Sequence, residues 1–420
     1  MRKRSKIDLF AGAAALFAVF IVGGGGASAG EVDAQDFTAV AKGRYLSILS
    51  DCASCHTVPQ KSQPFAGGRP IETPFGKIVA PNITPDMETG IGSWTDDQFD
   101  NAVRKGIGRN GERLYPAMPF NAYTKMSRKD VLAIRAYLNT VTAVYNPVVA
   151  NTLPFPFSIR TSMRVWDGLY FKQGEYVADP HKSAEWNRGA FLVDGPAHCG
   201  ACHTPKTFLG GDRTAQYLQG SPLQGWSAPN ITNDARTGLG GWSVEEVADY
   251  LKTGHNRVTA ATGPMAEAVD LSTSKMTDDD VRAIATYLKS LPGDGKPQTA
   301  IAASVPEMAA GGAIYRDQCS ACHGLDGKGV DRLFPSVANS SMARADDPTT
   351  VIRIVLRGAR SVATDKEPTA PGMPSYGWQL KDDQVANVLT YIRNSWGNAA
   401  PAVSPDEVAR LRASVTKRSD

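Results

Sequence analysis

All six cysteines of this 420-residue chain fall into three copies of one pattern: CASCH over Cys52 to His56, CGACH over Cys199 to His203 and CSACH over Cys319 to His323. None is left over for a disulfide. Two thiols separated by two residues on a helical turn can form thioethers to the two vinyl groups of one haem. The adjacent histidine then lies against the ring face, where its imidazole can ligate iron. A closed zinc site would need four suitably spaced ligands, and no second pair accompanies each motif. A redox-active Cys-x-x-Cys pair would need a βαβ setting, and none is evident in the sequence. The motifs therefore predict three covalently bound haem c groups, attached through Cys52 and Cys55, Cys199 and Cys202, Cys319 and Cys322, with iron held by His56, His203 and His323.

The repetition extends beyond the motifs. Ala80 to Thr84 (APNIT) recurs as Ala228 to Thr232, and Thr89-Gly90-Ile91-Gly92-Ser93-Trp94 recurs as Thr237-Gly238-Leu239-Gly240-Gly241-Trp242. Each unit ends in a helix with the same apolar spacing: Val131, Ile134, Leu138; Val281, Ile284, Leu288; Val385, Val388, Ile392. Steps of three and four put these on one face, with Tyr137, Tyr287 and Tyr391 beside it. Ser127 and Thr277 look like N-caps. Each haem motif follows a segment with a glycine and an aromatic residue (Gly43 and Tyr45, Gly189 and Phe191, Gly312 and Tyr315), which suits a first helix crossing the last one closely. The expected layout is 36–147, 181–292 and 306–397 for the three units, a connection over 148–180 rich in aromatic residues and proline, and a tail over 398–420. The apolar side chains of the connection, such as Phe155, Phe157 and Trp166, must bury between units or against a partner.

An electron carrier keeps its iron six-coordinate, and the repeats locate candidates for the sixth ligand. Met118 lies 62 residues after His56, and Met265 lies 62 residues after His203. Met373 lies 50 residues after His323, consistent with a shortened loop. Met265 lacks the proline that follows the other two. Met126 and Met276 also repeat, but Leu380 fills their place in the third unit, so they read as staple residues before the final helix. His255 has Ile107 and Ala359 as counterparts, which argues against a ligand role.

At the N-terminus, Arg2, Lys3, Arg4 and Lys6 precede an apolar run from Leu9 to Val22, and Ala27-Ser28-Ala29 supplies a small-residue cleavage site. That is the pattern of a secretory signal over 1–29, too short to span a bilayer. Removing it takes away four basic residues and one acidic residue, leaving a mature chain with no formal net charge. A chain without a basic stripe offers no electrostatic footprint for nucleic acid.

A helix before the haem, loops around it and a helix after it resembles the class I cytochrome c fold, so the expected class is all-α with three tandem domains of that kind. Through its three CxxCH units, the APNIT and TGxGxW repeats and the aromatic connection, the chain resembles the triheme cytochrome c subunits of bacterial membrane-bound alcohol, gluconate and sorbitol dehydrogenases. The resemblance implies an electron-transfer subunit without a substrate-converting site of its own, on the periplasmic side of the cytoplasmic membrane. It would take electrons from a flavin- or PQQ-dependent catalytic subunit and pass them to ubiquinone or the respiratory chain. Several relatives extend into amphipathic C-terminal helices, whereas Ser404 to Lys417 shows only Val408, Leu411 and Val415 on one face; this helix could lie on lipid, dock on its own protein or fray. Two other functions compete: a haem peroxidase or reductase with one open iron site, and a free-standing periplasmic electron shuttle.

Overall fold

The computed structural model describes residues 36–59, 61, 63–293 and 295–415; the leader at 1–29 lies outside the described residues. The first unit begins with α1 (Phe37–Leu49), capped by the Asp36 carboxylate on the backbone N–H groups of Thr38 and Ala39 at 3.0 Å each. The haem motif follows as the single turn α2 (Cys52–His56). A short antiparallel hairpin, β1 (Pro70–Thr73) and β2 (Gly76–Val79), precedes α3 (Asp96–Lys105), α4 (Phe120–Tyr123) and α5 (Arg128–Leu138). Ser127 closes a reciprocal capping box with Asp130 at the start of α5, so the N-cap expected there forms.

After α6 (Met163–Tyr170) in the connection, the second unit repeats this order. It runs α7 (Ala184–Asp194), α8 (Gly200–His203), the hairpin β3 (Ser221–Leu223) and β4 (Trp226–Ala228), then α9 (Val244–Thr253), α10 (Gly263–Leu271) and α11 (Asp278–Ser290). The third unit has α12 (Pro306–Gln318), α13 (Ser320–His323), α14 (Ser341–Arg344) and α15 (Thr349–Arg357). Its hairpin, β5 (Ala359–Arg360) with β6 (Gly372–Met373), comes after the haem-side loops rather than before them, and α16 (Asp382–Ile392) closes the unit. The fold is mainly helical, and the strands of the described residues form only two-stranded antiparallel pairs.

Each unit is built on the crossing of its first and last long helices, α1 on α5, α7 on α11 and α12 on α16. A β-carbon on Gly43 would run into the Ala133 carbonyl, and one on Gly189 into that of Ala283, so glycine is what lets these backbones touch. In the third unit the sequence pointed to Gly312, but Gly311 faces the Asn387 carbonyl while Gly312 looks onto the Tyr391 ring. The one-residue shift follows from helical register, since neighbouring positions point about 100° apart.

Val131, Ile134 and Leu138, with Val281, Ile284 and Leu288, belong to one core shared by the first two units. Val385, Val388 and Leu389 form a separate core in the third. Met126 and Met276 are almost fully buried immediately before their N-caps, and the Met126 sulfur lies 3.8 Å from the Ser50 hydroxyl.

The connection divides its apolar residues between burial and exposure. Trp166 is buried against Phe120 of the first unit and donates from Nε1 to the Leu209 carbonyl of the second at 3.1 Å, while Phe155 is 82% exposed. The tail forms α17 (Pro405–Val415) and docks on its own protein. Val408 and Val415 are buried, and Arg412 Nε contacts Asp382 Oδ1 at 2.7 Å.

Candidate haem-binding sites

Each CxxCH turn is held against the end of the first helix of its unit. The Tyr123 hydroxyl donates to the Ser50 carbonyl at 2.6 Å just ahead of Cys52, and the Tyr315 hydroxyl donates to the Gly324 carbonyl at 2.7 Å just after His323. No disulfide joins any of the described cysteines. Burial pushes the Cys52 and Cys199 thiols up to about 12 and Cys319 up to about 11. That is the opposite of a redox-active pair, whose nucleophilic thiol has a depressed pKa.

The histidines share one arrangement. His56 Nδ1 lies 2.7 Å from the Pro81 carbonyl, His203 Nδ1 lies 2.7 Å from that of Pro229, and His323 Nδ1 lies 2.9 Å from that of Pro335. A carbonyl can only accept, so Nδ1 carries the proton and Nε2 keeps its lone pair for a metal. Burial pushes all three imidazoles below their ordinary value, the carbonyl bond pulling the other way, which favours the neutral form that ligates iron. This is the donor chemistry a haem iron needs, so the residues fit the group.

The acceptor prolines explain the APNIT repeat. Asn82 Oδ1 accepts from the Thr84 backbone N–H at 2.9 Å, Asn82 Nδ2 donates to the Val144 carbonyl at 2.7 Å, and Ile91 N–H donates to the Thr84 carbonyl at 2.9 Å. Asn230, Thr232 and Leu239 reproduce the turn and its closure. The two repeated stretches thus lock together and fix the carbonyl that orients the histidine. Sequence reading saw the repeat without this role; its signal was that a proline follows His56 and His203 at nearly the same interval.

The candidate sixth ligands sit in three different settings. Met118 lies just before the N-cap Pro119 of α4, Met265 lies in the first turn of α10, and Met373 lies on β6. Met118 lines a cavity of about 2120 Å³ together with Cys52, Cys55 and His56. That volume exceeds the roughly 300–1,000 Å³ of an ordinary small-molecule pocket. The cavity continues into the second unit, where Gly200, Cys202 and Tyr217 line it. Met265 and Cys199 pack on the core shared by the first two units, and Met373 and Cys319 on the core of the third. His255 is buried, with Nδ1 3.2 Å from the Thr253 carbonyl, beside Pro335 of the third unit.

Repeated turns that pair two thiols with an oriented imidazole define a multihaem protein of the c type. The Cytochrome c family model matches residues 40–142, 187–292 and 308–396, and the chain belongs to that family. It is 40% identical over 394 residues to a gluconate 2-dehydrogenase cytochrome c subunit from Pantoea cypripedii, covering 89% of each chain. It is 38% identical to the fructose dehydrogenase cytochrome subunit of Gluconobacter japonicus, covering 89% of this chain and 82% of that one. Against the cytochrome c subunit of a quinone alcohol dehydrogenase from Gluconobacter oxydans it is 36% identical, over 92% and 85%. Three family domains and three CxxCH turns mean three covalently bound haem c groups.

Proposed function

We propose that this chain is the cytochrome subunit of an exported dehydrogenase complex, taking electrons from a flavin- or PQQ-dependent catalytic subunit and delivering them to membrane ubiquinone or the respiratory chain. The observation that carries the reading is the threefold recurrence of a CxxCH turn whose histidine is oriented by a proline carbonyl, in relatives of dehydrogenase cytochrome subunits that span most of this chain. When bound, haem supplies a one-electron couple. The chain's part would be to hold each haem by two thioethers, with His56, His203 and His323 and Met118, Met265 and Met373 as the residues offered to iron, and to exclude water. Two protein ligands would leave the iron no open position and little to reorganise, which suits transfer rather than substrate chemistry. The units at 36–147, 181–292 and 306–397 would each carry one haem.

Export through the 1–29 leader would place the protein on the periplasmic side. Among the described residues no helix is long and apolar enough to cross a membrane, so attachment to the membrane would be peripheral. The test is purification of the tagged chain from detergent-solubilised membranes of its native host. A stoichiometric dehydrogenase subunit, whose substrate reduces the haems and then an added quinone, is expected; a lone soluble protein reduced by no such subunit would contradict the proposal.

A further inference from the structure

The residue before the first cysteine differs among the three turns: Asp51, His198 and Gln318. Asp51 and His198 both take a left-handed backbone, at φ 48° and 39°, and both line the cavity common to the first two units. The His198 ring is engaged, its Nδ1 2.9 Å from the Pro196 carbonyl and the ring in a T-shaped contact with Tyr123. Asp51 is not. It is half-buried as a residue, but its Oδ1 is shut off from solvent and has no hydrogen-bond partner among the described residues.

The nearest guanidinium cannot neutralise it fully. Arg69 grips both carboxylate oxygens of Glu267, with Nη2 to Oε2 at 2.9 Å, and also donates to the Ser54 carbonyl. Glu267 stands on α10, two residues beyond Met265. Asp51 therefore lies at the joint between two haem turns: its charge acts on Cys52 and Cys55 of its own unit and on Cys202 of the next, as well as on Tyr123. The other charged group facing it is Lys275. A carboxylate in such a place is costly to keep ionised.

We propose that Asp51 is a proton-exchanging carboxylate shared by the first two haem sites, protonated when they are reduced and ionised when they are oxidised. An electron arriving from the dehydrogenase subunit makes the joint one charge more negative, and a proton from water joins the Asp51 carboxylate. When the electron leaves for the acceptor, the proton returns to solvent. Burial first, then the charge of Glu267, pushes the Asp51 carboxyl up to about 7 against the pull of Ser54, Arg69 and Lys275, so the exchange falls in the neutral range. The third turn, with Gln318 in this place, has no such group.

The proposal rests on the haem attachment argued above. A chain lacking a haem would reveal itself by mass, whereas failure of the Asp51 role would leave all three haems in place. The test is spectroelectrochemical titration of the three-haem protein between pH 5.5 and 9. Two of the three potentials should fall as pH rises through about 7; because one carboxylate takes up one proton for the pair, their slopes together are limited to a tenfold change per pH unit, or 59 mV for a one-electron couple. The third should stay flat across that step. Asp51→Asn, which tolerates the left-handed turn, should remove the step and hold both potentials at their low-pH values.

Asp51→Glu should keep the step. Glu267→Gln frees Arg69 to neutralise Asp51 and should move the step to lower pH, an independent readout should the Asn variant fail to mature. An unchanged slope in Asp51→Asn, as haem propionates would give, or an equal slope at all three haems, would overturn the proposal.

Discussion

The first two units are joined differently from the second and third. Between units one and two the haem turns themselves approach, a single hydrophobic core runs across, and the joint has a buried charged hub. There Asp280 accepts from Tyr45 of the first unit at 2.6 Å, and from Arg188 Nε and Nη2 at 2.7 and 2.8 Å. Between units two and three the shared core is small, Ala261 and Val269 burying against Val362, with polar contacts around it. Half-exposed Arg332 spans Asp249 and Glu367, Thr350 bonds the Ser227 backbone, and Arg353 lies over the Trp226 ring. The two joints thus differ in extent: units one and two share a large core and a cavity, whereas units two and three share a small core.

The largest expected effect comes from opening a coordination site. Met373→Ala should leave one of three haems able to bind carbon monoxide, without altering the spectra of the other two. Met118→Ala should open one haem and also disturb its neighbour, because the cavity is common to both. Carbon monoxide difference spectra would break the comparison if both variants behaved alike.

Next comes the hub. Asp280→Ala leaves Arg188 half-paired and deprives Tyr45 of its acceptor, and should cost about 2–4 kcal/mol, read as loss of cooperative unfolding between the first two units. Burial tends to raise the Asp280 carboxyl, but the bonds from Arg188 and Tyr45 outweigh it and hold the carboxyl below its ordinary value of 3.8. Its contribution is therefore fully present above that value and is lost as pH falls through the lower folded value. Acid should part units one and two in wild type below pH 3.8, and this acid limb should vanish in the variant.

Asp51 has the opposite sign. Its carboxyl is raised from 3.8 to about 7, so the folded state holds the extra proton and stability falls as pH climbs between those values. Thermal melts of Asp51→Asn should lack that decline. The smallest effect belongs to the exposed bridge: Arg332→Ala should cost no more than about 1 kcal/mol and fade with added salt.

Legibility in the sequence followed the range of the physics. The class of fold and the three haem attachments could be read because thioether chemistry demands a contiguous spacing, and because copies of one domain repeat in register. Helix starts at Ser127 and Thr277 were readable for the same local reason. What stayed hidden depends on residues far apart in the chain. Tyr45 meets Asp280 across 235 positions, and Arg69 meets Glu267 across 198. No periodicity marks such pairs. Gly311 was mistaken for Gly312 because either satisfies the local pattern and only the crossing with α16 distinguishes them. Pro81, Pro229 and Pro335 were visible as residues, but their task belongs to a carbonyl, which sequence does not single out.

The function rests on three porphyrins bonded through sulfur to this polypeptide. Mature protein expressed with a haem-maturation system, stripped of loosely held pigment by acidified acetone and denatured, should show an intact mass three haems above the bare chain, with peptides containing Cys52 and Cys55, Cys199 and Cys202, and Cys319 and Cys322 each carrying one. A mass equal to that of the bare chain, with six alkylatable thiols, would contradict it.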